Sequence, residues 1–234
     1  MATPLSTRFC GVAFLLACFV SDRFDGIIGR ISAMRIIAGT YRSRRLQTLK
    51  GLALRPSSDR LRETLFNVLG PGVRGAVFLD LFAGSGAVGI EALSRGAERA
   101  IFVENHRSGA GVIRRNLRTL GIPVSSASAI LARSSFSGGA EIVVLDAAAA
   151  LRQLSERGLR ADFIFADPPY ADSEAYDSVL DLVGDSEILV SDGQMVLEHD
   201  RRRVLPAVVG KLERTRVLDQ GDNALSFYRP FNAA

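Results

Sequence analysis

Past residue 76 the chain alternates between two hydrophobic periods in a regular order. Short runs rich in Val, Ile, Leu and Phe at Val77 to Leu81, Ala100 to Glu104, Glu141 to Leu145, Asp162 to Ala166 and Gln194 to Glu198 have the length of strands. Between them, Val88 to Arg95, Arg107 to Leu120, Ala147 to Arg157 and Ser173 to Val183 carry apolar residues at helical spacing. Strands that alternate with helices predict a parallel sheet joined by crossovers, an open α/β fold. Two last apolar stretches, Leu212 to Leu218 and Ala224 to Arg229, flank the turn Gly221-Asp222-Asn223, so the sheet is expected to end in an antiparallel hairpin.

The front of the chain has a different texture. Arg35 to Gly39 and Arg45 to Leu49 read as short strands around a Gly-containing turn, a small hairpin within Met34 to Lys50. Ser57, Ser58 and Asp59 offer N-caps for a helix in which Leu61, Leu65, Phe66 and Leu69 share one face, and Gly70-Pro71 is expected to end it. Residues 1 to 33 read as a leader outside the fold. Their apolar run from Gly11 to Val20 is shorter than the ~20 residues that span a bilayer, and no small-x-small cleavage site follows it. The organisation expected is therefore a leader at 1–33, a basic hairpin and helix at 34–70, and an α/β domain at 71–234. Residues 124 to 140, rich in Ser, Ala and Gly, are the least interpretable stretch and are expected to include a loop.

Composition narrows the chemistry. The two cysteines, Cys10 and Cys18, lie in the leader, and the two histidines, His106 and His199, are far apart, so neither a disulfide framework nor a metal site is expected. Reactions must then use carboxylates, backbone groups, aromatics or a borrowed cofactor. The overall net charge of +4 conceals a gradient. Between Met34 and Arg62 stand Arg35, Arg42, Arg44, Arg45, Lys50, Arg55, Arg60 and Arg62 against Asp59 alone, whereas the chain beyond Arg62 is net acidic. A basic segment on an acidic body predicts a polyanionic partner held by that segment, although charge alone reports only affinity for phosphate.

The first motif, Asp80-Leu81-Phe82-Ala83-Gly84-Ser85-Gly86-Ala87-Val88-Gly89, joins the first predicted strand to its helix. Glycines there let the backbone approach a ligand at a helix N-terminus, a weak signal taken alone. Asp80 at the end of its strand suits a ligand with a cationic amino group. Glu104, ending the next strand, suits one with ribose hydroxyls. Asp146 either contacts an adenine amino group or caps its own helix. The second motif, Asp167-Pro168-Pro169-Tyr170, follows the fourth strand, at the edge where α/β sheets bind ligands. Two prolines fix the backbone, so Asp167 and the Pro168 carbonyl become rigid acceptors beside an aromatic plane. Such a pair fits a planar molecule bearing an NH₂ group.

Together these motifs resemble those of S-adenosylmethionine-dependent methyltransferases that act on exocyclic amines. The stretch with Ala38-Gly39, Arg42, Arg44-Arg45-Leu46, Arg55-Pro56 and Asp59-Arg60-Leu61-Arg62-Glu63-Thr64-Leu65-Phe66-Asn67 resembles, more narrowly, the bacterial RsmD family, which methylates guanine N2 in 16S ribosomal RNA. The resemblance runs from Met34 to about Arg229. It implies a class I, Rossmann-like methyltransferase with a mostly parallel seven-stranded sheet. It also implies S-adenosylmethionine bound by Asp80, Phe82 to Gly86, Glu104, Asn105, Asp146 and Ala147, catalysis at Asp167 to Tyr170, and RNA held by the basic residues just named. The implied partner is 16S rRNA within the small subunit or an assembly intermediate, and the protein is expected to be cytoplasmic and monomeric. Rival readings are a DNA adenine methyltransferase, for which the chain offers no evident target-recognition region, a protein-glutamine methyltransferase, for which the basic segment has no purpose, and an RNA-binding relic, against which Asp80, Glu104 and Asp167 argue.

Overall fold

A computed structural model describes residues 34–48, 59–125 and 139–231. Its centre is one sheet built from β1 (Val77–Leu81), β2 (Arg99–Val103), β3 (Val124–Ser125), β4 (Gly139–Val143), β5 (Ala161–Ala166), β6 (Leu189–Asp200), β7 (Val208–Val209), β8 (Leu212–Gln220) and β9 (Asn223–Pro230). The strand order is β3-β4-β2-β1-β5-β6-β9-β8-β7. Pairing is parallel from β3 through β6 and antiparallel from β6 to β7. Order reverses between β1 and β5, so the crevice beyond their carboxyl ends is where such a sheet takes a ligand.

Strand alternation decides what each face buries. Leu79, Leu81, Ile101, Val103, Ile164 and Leu197 point to one face, covered by α4 (Ala147–Glu156) and α5 (Ser173–Gly184). Phe78, Phe102, Phe165 and Val196 point to the other, covered by α1 (Asp59–Leu69), α2 (Ala87–Ser94) and α3 (Arg107–Leu120). Met34, Ile36 and Leu46 of the N-terminal segment join the core on this second face. At ~25 cal/mol per Å², each such side chain withdrawn from water contributes ~1.5 to 3 kcal/mol, which fixes the segment to the sheet.

The hairpin expected at Met34 to Lys50 appears in reduced form, as a single antiparallel bridge between Arg35 and Arg45 with flanking bonds Ile36 N to Arg44 O (3.0 Å) and Leu46 N to Met34 O (2.8 Å). Buried polar groups clamp it. Glu91 of α2 accepts from the Ile37 and Ala38 amides (2.8 and 3.0 Å) and from Arg95 Nε (2.8 Å). Expectations at Ser57 and Ser58, and for residues 1–33 and 126–138, lie outside the described residues.

Three details differ from the sequence expectations. The sheet has nine strands rather than seven, because two-residue strands β3 and β7 pair at its edges, too short to show a period. Gly70-Pro71 ends α1 at Leu69 as expected, and it also opens a 3-10 turn, Gly70–Val73, since proline is tolerated in a first helical turn. β6 begins five residues early, at Leu189. Its pairing with β5 skips from Leu189 to Gln194, so the residues between them, Ser191-Asp192-Gly193 included, form a bulge inside the strand. The last hairpin turns on Gly221 and Asp222 alone, with Gln220 paired to Asn223. Among the described residues no helix is long and apolar enough to cross a membrane.

Candidate active site

A cavity of about 880 Å³ opens at the carboxyl ends of β2, β4, β5 and β6, within the size range of small-molecule sites. One wall comes from the glycine loop. Phe82, not a glycine, holds a left-handed backbone (φ 61°), a conformation that costs ~1 to 3 kcal/mol and persists only where the surroundings impose it. Two residues on, the Gly84 amide donates to Glu104 Oε2 (2.8 Å), and the His106 amide donates to Oε1 (2.9 Å). Glu104, 7% exposed, is thereby aimed before any ligand arrives. α3 crosses close behind it: a Cβ on Gly109 would lie 2.7 Å from the Glu104 carboxyl carbon, so only glycine lets the helix approach. Sequence reading passed over Gly109, because its purpose is a contact with a residue outside its own helix.

The opposite wall is Asp167 to Tyr170. Its supports come from far along the chain. The Tyr176 hydroxyl of α5 lies 3.2 Å from the Pro168 carbonyl and 3.3 Å from the Glu198 carbonyl, able to donate its one proton to either. Arg203 Nη2 donates to the Tyr170 carbonyl (2.8 Å), while its guanidinium carbon stands 4.3 Å from the Tyr176 ring centroid, a cation–π contact. The Tyr170 hydroxyl donates to Glu198 Oε1 (3.4 Å), which also accepts from Asn223 Nδ2 of β9 (2.9 Å). Burial, then the negative charges of Glu198 and Asp167, push the Tyr170 phenol well above its ordinary range. Burial and Asp167 do the same to Tyr176, against the opposing pull of Arg203. Both phenols therefore remain donors at neutral pH. Glu198, Tyr176, Arg203 and Asn223 were not singled out from sequence; no short motif joins them.

Of the residues expected to hold a cofactor, Phe82, Gly84, Glu104, Asn105, Asp146 and Ala147 line the cavity with all of Asp167 to Tyr170, whereas Asp80, Ala83, Ser85 and Gly86 do not. Asp80 stands behind the cavity wall rather than on it. Alternation turns it with Phe78 toward α2, where it is 2% exposed and accepts from the Gly89 amide (2.8 Å). Burial raises its pKa to about 7, with the Gly89 hydrogen bond opposing and Glu104 adding to the rise. Asp146 caps α4, accepting from the Ala149 amide (2.8 Å), and also borders the cavity.

Among the basic residues, Arg35, Arg42, Arg44, Arg45 and Arg60 are exposed, and Lys50 and Arg55 lie outside the described residues. Arg62 cannot face RNA: it is 0% exposed, bonded to Asp59 Oδ1 (2.6 Å) and the Arg35 carbonyl (2.9 Å), with Nη1 4.0 Å from Glu91. The hairpin turn docks at the far ends of two helices. Tyr41 N bonds Ser94 Oγ at the end of α2 (3.0 Å), and Arg44 Nη2 reaches the Thr119 carbonyl near the end of α3 (3.3 Å). Each of these helices starts at the cavity edge of the sheet and runs back, so the turn sits at the edge opposite the cavity.

A family model described as Conserved hypothetical protein 95 matches residues 34–229. The chain belongs to this family. It is the RsmD family that the motifs resemble, and its members carry a class I methyltransferase fold. YlbH of Bacillus subtilis, named as a candidate rRNA methyltransferase, is 36% identical over 84% of this chain and 98% of its own. Ribosomal RNA small subunit methyltransferase D of Escherichia coli is 34% identical over 80% of this chain and 86% of its own. The solved structure of the Escherichia coli protein yhhF, titled as a candidate methyltransferase, superposes with a TM-score of 0.70 at 33% identity, covering 85% of this chain and 98% of that one.

Proposed function

We propose that the protein transfers the methyl group of S-adenosylmethionine to the exocyclic N2 amine of a guanine in 16S rRNA, within the small ribosomal subunit or an assembly intermediate. The observation that carries this reading is that two preorganised walls meet in one cavity, an aimed carboxylate on Glu104 and a rigid acceptor pair at Asp167 and Pro168. The relatives' names supply the RNA class.

The cavity fits the cofactor. Glu104 still has lone pairs for ribose hydroxyls, Val103, Leu145 and Ala147 offer apolar contact to an adenine, and the Phe82 to Gly84 backbone borders the remaining end. When bound, S-adenosylmethionine supplies a methyl group on a sulfonium sulfur that leaves as a neutral thioether. The chain's own residues act on the amine, a poor nucleophile because its lone pair is delocalised into the ring. Hydrogen bonds from the NH₂ group to Asp167 and the Pro168 carbonyl pyramidalise the nitrogen and direct its lone pair. Positioning and fixed charge then account for most of the acceleration. Tyr170 stacks on the base, which must leave its helix to reach the cavity. After transfer the nitrogen sheds one proton, to Asp167 or to water.

Domain roles follow the same reading: residues 34–70 hold RNA through their exposed arginines, residues 71–234 carry the chemistry, and residues 1–33 are dispensable. A chain beginning at Met34 is expected to methylate as fast as the full chain in a filter-binding assay; loss of activity would place the leader in the function. The identity of the reaction is tested by incubating enzyme and methyl-labelled cofactor with naked 16S rRNA and with assembled small subunits, then digesting to nucleosides. N2-methylguanosine is expected. Label in another nucleoside, in the protein fraction of the subunits, or nowhere would overturn the proposal.

A further inference from the structure

We propose that the exposed face of α3 is a second RNA-binding surface, an arginine stripe that continues the basic hairpin turn up to the mouth of the cavity. This rests on the RNA reading above and names a surface outside residues 34–70. In α3, Arg107, Arg114 and Arg118 are exposed and fall at i, i+7 and i+11, one line along the helix, while Ile113 and Leu117 are buried in the core. The line is roughly 17 Å long at ~1.5 Å per residue. Its first residue follows His106, which lines the cavity. Its last stands beside Thr119, whose carbonyl accepts from Arg44 of the hairpin turn (3.3 Å). Nearby, Gln47 N donates to Asn116 Oδ1 (2.8 Å) and Asn116 Nδ2 donates to the Gln47 carbonyl (3.1 Å), so hairpin and helix present one surface.

Helix stability does not call for this stripe. Arg107 stands in the first turn, where the helix dipole disfavours a cation, and Arg114 and Arg118 form a like-charge i, i+4 pair. The sequence supplies no local counter-charge: residues 105–140 contain no Asp or Glu, and neither do residues 36–58 on the hairpin side. An exposed column of charge kept against these costs fits a partner that brings the opposite charge, and a phosphate backbone brings it at regular intervals. The other face of the sheet carries the reverse sign. There α5 exposes Glu174, Asp177 and Asp181 and contains no basic residue. RNA reaching the cavity is therefore attracted along α3 and repelled from α5, which sets the side from which the strand approaches.

The test measures binding of the full chain to naked 16S rRNA and to assembled small subunits across a salt series. Replacing Arg107, Arg114 and Arg118 together by Ala, the best helix former, is expected to make the slope of log K against log salt shallower by ~2, at ~0.7 to 0.9 per lost phosphate contact, and to raise KM by ~10-fold or more. Because uniform binding is what is lost, kcat at saturating RNA and the Kd for S-adenosylhomocysteine should stay within about twofold. Should the triple variant not fold, Arg114→Gln and Arg118→Gln each carry the same test, at ~0.7 to 0.9 of slope. Asp177→Asn combined with Asp181→Asn removes charge from the far flank and is expected to leave the slope alone. An unchanged slope in the arginine variants would overturn the proposal, as would a loss confined to assembled subunits, which would assign the stripe to a protein contact. An equal and opposite change in the aspartate variant would also overturn it, by reducing the effect to net charge. Wild-type product other than N2-methylguanosine would instead sink the functional reading, and the slopes would still decide the stripe.

Discussion

The two walls of the cavity are stiffened in opposite ways. On the glycine-loop side, Glu104 is aimed by the amides of Gly84 and His106, groups that the strand–loop–helix geometry of β1, β2 and α3 presents without help from side chains. On the Asp167 side, two prolines fix the backbone, the Asp172 amide donates to the Pro169 carbonyl (2.9 Å), and the other supports named above are side chains from elsewhere: Tyr176 from α5, Glu198 from β6, Arg203 beyond it and Asn223 from β9. The first wall is a property of a local fold unit and suits a ligand common to many enzymes. The second depends on how α5 and the antiparallel end of the sheet dock, and this is where specificity for a target can vary.

Substitutions should separate the walls. The largest effect is expected at Asp167: replacement by Ala should lower methyl transfer by ~10² to 10³, the usual loss for one preorganised group at a developing charge, while cofactor affinity measured by calorimetry stays within a few fold. Asp167→Asn retains an acceptor without charge, so appreciable activity there would mean that orientation outweighs charge. Next, Glu104→Ala should weaken cofactor binding by ~10 to 100-fold, since charge-assisted bonds of ~1.5 to 3 kcal/mol are removed. Gly109→Ala should move affinity the same way through displaced Glu104, and an unchanged Kd for either would break the division of labour.

Arg203→Ala should reduce kcat by roughly tenfold, at ~1.4 kcal/mol per factor of ten, with cofactor affinity untouched; an altered Kd would show that the walls are mechanically joined. The smallest effect on the reaction is expected at Asp80, which lines neither wall. Its folded pKa, about 7 against an ordinary 3.8, lies above the unfolded value, so its contribution to stability is present at low pH and is lost as pH rises from about 4 through about 7. Asp80→Asn keeps the acceptor for Gly89 and cannot ionise. Its melting temperature relative to wild type should climb from pH 5 to pH 8, by on the order of 5 °C. A flat difference would mean that Asp80 ionises normally.

The same division explains what the amino-acid sequence disclosed. α3 starts and ends where its pattern predicts, Arg107 to Leu120, and β1 and the glycine loop fall in place, because period and turn chemistry are written locally. Asp167 to Tyr170 was legible as a motif, with all four residues on the cavity. That Asp80 turns toward α2 was not legible, because a strand-end acid gives no sign of which face it takes until the register is known. Arg62 counts as a positive charge in sequence, and only the packing of α1 under the hairpin shows it spent on Asp59 and the Arg35 carbonyl. Glu198 and Arg203, 31 and 36 residues beyond Asp167, reach the site only through β6 pairing beside β5.

The placement of the hairpin turn bears on the size of the substrate. Arg42 and Arg44 stand at the edge where the strands begin, and the cavity opens where they end. Strands of five or six residues separate the two by roughly 17 to 20 Å at ~3.3 Å per residue. On the proposed function, an RNA that touches both runs along the flank of the protein over that distance while one of its bases is turned out at the far end. A mononucleotide or a very short strand fills the cavity and leaves the turn vacant. On the proposed function, a substrate that engages both the turn and the cavity is a folded RNA whose target base lies that far from a backbone segment, a ruler set by the length of the sheet.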